Sequence, residues 1–394
     1  MKHLDNILYV YNQVFTDKII IDTVKSKYGE NIYKILKIMI FHTGRCFLYL
    51  FKSSIKQNNY PNIFLYATTA NQINSLKPLQ NSETDFVNIN LRFLLFYKII
   101  YFFPLLFKVI KENKSDKISI YYNALGRFEE SKRILKRINP KIVVFANDIN
   151  ASFRAMMYAA KELGIKTYYF QHASVSKYFP PLEFDVSFLE GKDSLCKYKE
   201  KGIYGKVELI GMIKFNNKMH IKNIEKKVKT IGVAFNSLDD ISLVKHLLSE
   251  INKKFKDITI YVRPHPRDMR KYKFDDVLLS NSKHEDSFSF LQKIDLLIAS
   301  DSSIHLEAAL MNVVPVYYLL HNGVYIDYYG YNKHSLNYFA ENIELLIKFL
   351  EDQQKSKSEV FDKTNFFVEP VSIEERQEIM SRHGLSVNYD WTKK

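Results

Sequence analysis

The stretch Tyr261-Val262-Arg263-Pro264-His265-Pro266-Arg267, followed by Ser300-Asp301-Ser302-Ser303, decides how this chain folds. Each motif comes directly after a short apolar run that reads as a buried parallel strand, residues 258–262 for the first and 295–299 for the second. In an open α/β sheet, ligands bind outside the carboxyl ends of the strands. Two neighbouring strand ends would bring a cation, an imidazole, two hydroxyls and a helix N-terminus to one spot. Such a spot suits a phosphate.

The same alternation runs outward from these motifs. In the first half, residues 62–67, 117–123, 141–146, 166–170 and 184–189 read as strands. Residues 127–138, 152–163 and about 193–201 read as helices, with Gly164 stopping the second. A stretch rich in Lys and Asn, residues 216–229, has no apolar period and reads as a linker. The pattern then restarts with strands 230–235, 258–262, 295–300 and 313–319. Helices 241–255, 287–294, 304–311, about 340–352 and about 372–382 accompany them. Strand and helix in alternation imply parallel sheets covered by helices. The expectation is an α/β protein of two doubly wound domains facing a cleft. Residues 1–215 form the first and 228–365 the second, and a tail from 366 to 394 packs back on the first.

Bulk properties fit this architecture. The 394 residues are enough for two cores. Twelve glycines are too few for an all-β chain built on many tight turns. The net charge of +14 is uneven, since residues 1–120 hold 16 Lys/Arg against 8 Asp/Glu. Positive charge attracts nucleic acid, anionic lipid or an anionic small molecule. No zinc finger, RNP-type aromatic motif or basic repeat is present, so nucleic acid is not an expected partner. Two cysteines, Cys46 and Cys196, make neither a disulfide framework nor a zinc site. Residues 1–6 lack the apolar core of a signal peptide, and the expected location is the cytoplasm. The stretch from Leu91 to Ile110 contains Arg92, Lys98, Lys108 and Pro104, too costly a set for a membrane span. It reads as a buried helix or as an aromatic, basic helix lying on an anionic membrane surface.

Several positions, all following strands, carry the candidate chemistry. Ser302 or Ser303 can cap the helix that follows and leave its first N–H groups to an anion. Glu307 lies one turn further along the same face, either placed for ribose hydroxyls or simply exposed. Pro264 and Pro266 stiffen the backbone around His265, and Arg263 or Arg267 can pair with a phosphate bidentately. Asp148 ends a central strand and is either a general base or a helix cap. His172, at the end of the next strand, either orients an acceptor, acts as the base or is structural. No metal-ligand cluster, Walker loop or Gly-x-Ser-x-Gly elbow accompanies them, so no metal or cofactor is expected.

Arg263-Pro264-His265-Pro266 resembles the HP motif of bacterial CMP-dependent sialyltransferases and Kdo transferases, and Asp301-Ser302-Ser303 resembles their paired-serine motif. The resemblance spans roughly residues 141–319. It implies a GT-B fold and an inverting glycosyltransferase of bacterial surface polysaccharide (capsule or lipopolysaccharide) synthesis. The implied partners are a CMP-linked sugar donor and a glycan or lipid-linked glycan acceptor, with peripheral contact to the inner face of the cytoplasmic membrane. By the same resemblance Arg263, His265, Pro266, Ser302, Ser303 and Glu307 bind the donor nucleotide, and Asp148 or His172 is catalytic. The sialyltransferase pattern also has an acidic pair followed by Gly; here Asn147-Asp148 stands in that region. The two motifs and Gln171-His172 are also similar to CDP-glycerol polyol-phosphate transferases. UDP-sugar transferases and epimerases sharing the two-domain fold are further alternatives.

Overall fold

A computed structural model describes residues 3–9, 60–87, 118–213, 215, 226–266 and 268–388. The stretch from Leu91 to Ile110, Arg267, Cys46 and residues 216–225 of the expected linker lie outside them.

Among the described residues, twelve strands form two sheets of six. The first contains β1 (Ile63–Tyr66), β2 (Thr84–Phe86), β3 (Ile142–Phe145), β4 (Lys166–Phe170), β5 (Val186–Leu189) and β6 (Lys206–Leu209). Its order is β2-β1-β3-β4-β5-β6, and every pairing is parallel. The second contains β7 (Thr230–Phe235), β8 (Thr259–Pro264), β9 (Leu278–Leu279), β10 (Leu296–Ala299), β11 (Val314–Tyr318) and β12 (Tyr338–Ala340). Its order is β12-β11-β10-β7-β8-β9, again all parallel. Helices α1 (Leu4–Ile7), α2 (Ala70–Leu76), α3 (Ile118–Ile138), α4 (Ala151–Glu162) and α5 (Lys192–Lys201) belong to the first domain. Helices α6 (Ile241–Lys254), α7 (Ser287–Leu291), α8 (Ile304–Leu310) and α9 (Ile343–Lys355) belong to the second, and α10 (Ile373–Ser381) follows.

The central strands are apolar throughout because both faces of each sheet are covered. Along β1 and β3, Phe64, Tyr66, Val143 and Phe145 enter one core, while Ile63, Leu65 and Val144 enter another on the opposite face. Along β10, Leu297 and Ala299 face one core of the second domain, and Leu296 and Ile298 face the other. This two-residue period is the pleat expressed as packing.

Several expectations need correction. Of the strand expected over 117–123, Lys117 lies outside the described residues and 118–123 are helical, because α3 runs unbroken from Ile118 to Ile138. The alternation of Ile118-Ser119-Ile120 imitates a strand, but only Gly126 opposes a helix there, and one interior Gly costs only about 1 kcal/mol. The helix ends where Asn139 turns to φ 51° before Pro140. Ala340 closes β12 rather than opening a helix, and α9 starts after Asn342, whose side chain accepts from the Leu345 N–H. The short strands β2, β6, β9 and β12 lack the long apolar run that marks a central strand. Finally, the strands carrying the two deciding motifs, β8 and β10, are not neighbours; β7 lies between them.

Beyond Phe361–Phe366, a 3₁₀ turn, the chain returns to the first domain. The Glu369 N–H donates to Glu190 O (2.7 Å), Arg376 Nε donates to Ile210 O (2.8 Å), and the Asn388 N–H donates to Pro78 O (2.7 Å). A capping box between Ser372 and Glu375 starts α10. Met380, Leu385 and Val387 then complete the core over one face of the first sheet. Among the described residues, no helix is long and apolar enough to cross a membrane.

The crossing depends on a close approach at Gly191, where an added Cβ would lie 2.3 Å from Phe367 O. G191A should therefore displace the 367–369 segment and cost about 1–3 kcal/mol. A lower denaturant midpoint and increased proteolysis near residue 368 would report it.

Candidate functional site

In the second sheet the strand order reverses between β7 and β10, the topological switch point where open α/β sheets hold their ligands. The loops at that edge follow β7 (Asn236–Asp240), β8 (His265 onward), β10 (Ser300–Ser303) and β11 (Leu320 onward). Strand spacing puts the axes of β8 and β10 roughly 10 Å apart, with the end of β7 between the motifs.

These loops are tied to one another. The His265 N–H donates to Phe235 O (2.8 Å), fixing the HP turn against the end of β7. Arg270 donates to Asp239 O (2.6 Å) and Asn236 O (2.8 Å) while pairing with Asp268. On the other flank, the Asp240 N–H donates to Leu320 O (2.7 Å). The Ser300 hydroxyl accepts from the Leu320 N–H (2.7 Å) and donates to Tyr318 O (3.1 Å). His265 and Pro266 are exposed at this edge, and Ser302 and Ser303 are half-buried. Ser303 is the N-cap residue of α8, but its side chain makes no capping bond; Ser302 Oγ accepts from the Ile304 N–H at 3.4 Å, a weak contact.

Arg263 does not serve the edge as expected. Its guanidinium is buried, donates to Ser280 Oγ (2.8 Å) and Glu285 O (2.8 Å), and lies over the Phe290 ring at 5.2 Å. It braces the segment from β9 to α7, and its charge answers Glu285 (3.7 Å). Glu307 is also buried rather than exposed, and its charge is felt by Arg263.

Asp301, to which pattern reading gave no role of its own, organises the serine turn together with His321 and His305, which it passed over. The Asp301 carboxylate accepts from the Tyr317 hydroxyl (3.2 Å) and the Tyr328 N–H (3.4 Å), with His321 Nε2 at 3.7 Å. The His321 Nδ1 accepts from the Gly323 N–H (3.0 Å), so its proton sits on Nε2 toward Asp301. His305 is 1% exposed and donates from Nε2 to Ser300 O (3.0 Å). Burial pushes its pKa down to about 4, so it braces the turn as a neutral ring. In the sequence His305 shares an otherwise apolar helix with Glu307 and carries no motif of its own, and the partners of Asp301 lie 16–27 residues away, so no local spacing reveals them.

In the first sheet the switch point falls between β1 and β3, where Asn147-Asp148 follows β3. Asn147, not Asp148, starts the turn into α4; its Oδ1 accepts from the Ile149 and Asn150 N–H groups (2.9 and 3.0 Å). Asp148 faces inward and is 1% exposed. Its Oδ2 accepts from the Tyr198 hydroxyl (2.6 Å), and its Oδ1 has no hydrogen-bond partner. Burial raises its pKa to about 6, against the opposing effects of Tyr198 and Arg154. Neither sequence-based role fits this position. Asp148 does not cap the helix, and a base must reach the proton it removes, whereas this carboxyl is closed off. His172 is half-buried at the edge beyond β4. The preceding Gln171 locks β4 to β5, donating to Glu190 Oε2 (3.1 Å) and accepting from the Glu190 N–H (2.9 Å). Among the described residues, no group of three or more His, Cys, Asp or Glu is placed to hold a metal ion.

Solved structures share this architecture. The fold is GT-B. A protein of Listeria monocytogenes provisionally named a UDP-N-acetylglucosamine 2-epimerase aligns with 83% of this chain and 96% of its own, at 12% identity and a TM-score of 0.50. Another UDP-N-acetylglucosamine 2-epimerase aligns with 83% of this chain and 97% of its own, at 13% identity and a TM-score of 0.50. A spinosyn rhamnosyltransferase aligns with 82% and 99% at 8% identity, with a TM-score of 0.47. No protein-family model and no curated protein matches the sequence.

The buried Asp148 gives stability an unusual pH dependence. Its folded pKa lies above the ordinary 3.8, at about 6. As pH rises through this window, the unfolded chain ionises first and the folded chain loses stability, on the order of 3 kcal/mol in all, levelling off above the folded pKa. D148N should remove that loss, so that from pH 4 to 7 its melting temperature gains on that of the parent protein. Parallel curves across that range would refute this account of Asp148.

Proposed function

We infer that the protein is a nucleotide-sugar-dependent GT-B enzyme, a glycosyltransferase taking a UDP-linked donor. The observation that carries this reading is the second-sheet switch point, flanked by the exposed His265 and the uncapped Ser303. His265 would donate to a diphosphate oxygen. The hydroxyls of Ser302 and Ser303 and the first N–H groups of α8 would take the remaining charge, which is greatest as the nucleotide leaves. Structural neighbours named as UDP-N-acetylglucosamine 2-epimerases support UDP over the CMP suggested by the motifs. Across the cleft, His172 is better placed than the enclosed Asp148 to take a proton from a glycan hydroxyl. The same neighbours favour one second reading, epimerisation of a UDP-sugar without an acceptor.

Thermal unfolding with UDP, CMP, CDP and GDP tests the donor. UDP at a hundredfold excess over Kd should stabilise the protein by about 2.7 kcal/mol, a shift of several degrees. H265A should lose that shift while its ligand-free melting temperature stays within a degree or two of the parent's. A response to CMP alone restores the CMP-sugar reading, and a response to no nucleotide ends the nucleotide reading. Incubation with UDP-N-acetylglucosamine alone separates the two activities, because only an epimerase changes it without an acceptor.

A further inference from the structure

The segment from Tyr325 to Tyr331 leaves the second domain and docks on the first. It is stiff by construction. Asp327, at φ 42°, accepts the N–H groups of Asn332 (3.2 Å) and Lys333 (2.9 Å), and Asn332 Nδ2 donates to the Tyr325 hydroxyl (2.6 Å). One end reaches the serine turn, through a long hydrogen bond from the Tyr328 N–H to the Asp301 carboxylate (3.4 Å). The other is gripped by the first domain. Lys197, on α5, spends all three ammonium protons here, on Asp193 Oδ2 (2.6 Å), Tyr329 O (2.7 Å) and Val175 O (2.9 Å). Ser174 is hydrogen-bonded to the Tyr331 hydroxyl, and Tyr178 stacks on Tyr328 with centroids 5.7 Å apart. Val175, Ser174 and Tyr178 all belong to the loop that begins at His172.

We propose that Lys197 is a positioning residue that joins the two halves of the site: by holding the Tyr325–Tyr331 strap, it sets the Asp301–Ser303 turn in register with the His172 loop. Lys197 touches neither motif. It acts through the Tyr329 carbonyl, one residue from the amide that holds Asp301. The serine turn is then fully ordered only while the domains are docked, and parting them loosens the nucleotide's seat. Its consequence for nucleotide affinity rests on the UDP reading above; the mechanical coupling does not.

The test uses the full chain with K197M and, separately, S174A, which trims one hydroxyl and keeps the question answerable if K197M fails to fold. Amide exchange is followed over residues 299–304 and 324–331, and UDP affinity by calorimetry. K197M should speed exchange in both segments and raise the Kd for UDP about tenfold, within the usual range for coupled sites. S174A should move both in the same direction by less. A local helix defect would instead confine faster exchange to residues 192–201 and leave 299–304 and the Kd as in the parent protein, and that result overturns the proposal. If the parent protein does not bind UDP, the donor assignment falls, while the exchange pattern over 299–304 still decides the coupling.

Discussion

Parallel pairing is the constraint on which everything else rests. Because every strand in both sheets runs the same way as its neighbours, all carboxyl ends in a sheet emerge at one edge. Each return must cross a face as a helix or long loop, which is why the central strands are buried on both sides. Where the order reverses, two successive crossovers diverge and leave a crevice lined by backbone and loop side chains. Each domain has one such crevice. The candidate residues His265, Ser302, Ser303, Asp148 and His172 gather at those two places.

The two crevices are built differently. That of the second domain is a mesh of loops fastened by Arg270, Ser300, His305 and Asp301, and it leaves His265 and Ser303 outward. That of the first domain closes over its carboxylate, with Tyr198 donating to Asp148, and keeps an imidazole nearer the surface. Arg263, the cation that looked most useful, holds a loop instead.

The two-domain alternation was legible because apolar runs such as Leu296–Ala299 and Ile142–Phe145 can only be buried strands when helices separate them. The positions of His265, Ser302 and Ser303 at the sheet edge followed from the same reading. What was not legible depended on strand order or distant contact. Whether β8 touches β10 is a matter of topology, and no local pattern shows β7 slipping between them. The fates of Arg263 and Asp148 turn on Ser280, Glu285 and Tyr198, 17 to 50 residues away. Residues 117–123 misled because a short alternating run suits a strand until the helix beyond it proves continuous.

The return of the chain to its starting domain has a consequence for biosynthesis. The face of the first sheet bearing Ile63, Leu65 and Val144 packs against Leu76 of α2, and Met380, Leu385 and Val387 complete the same core. During translation part of that face stays wet after β6 ends at Leu209, until Met380, 171 residues later, is made. The nascent first domain is thus an open sandwich awaiting another slice, and its demand for chaperone protection should fall as α10 leaves the ribosome.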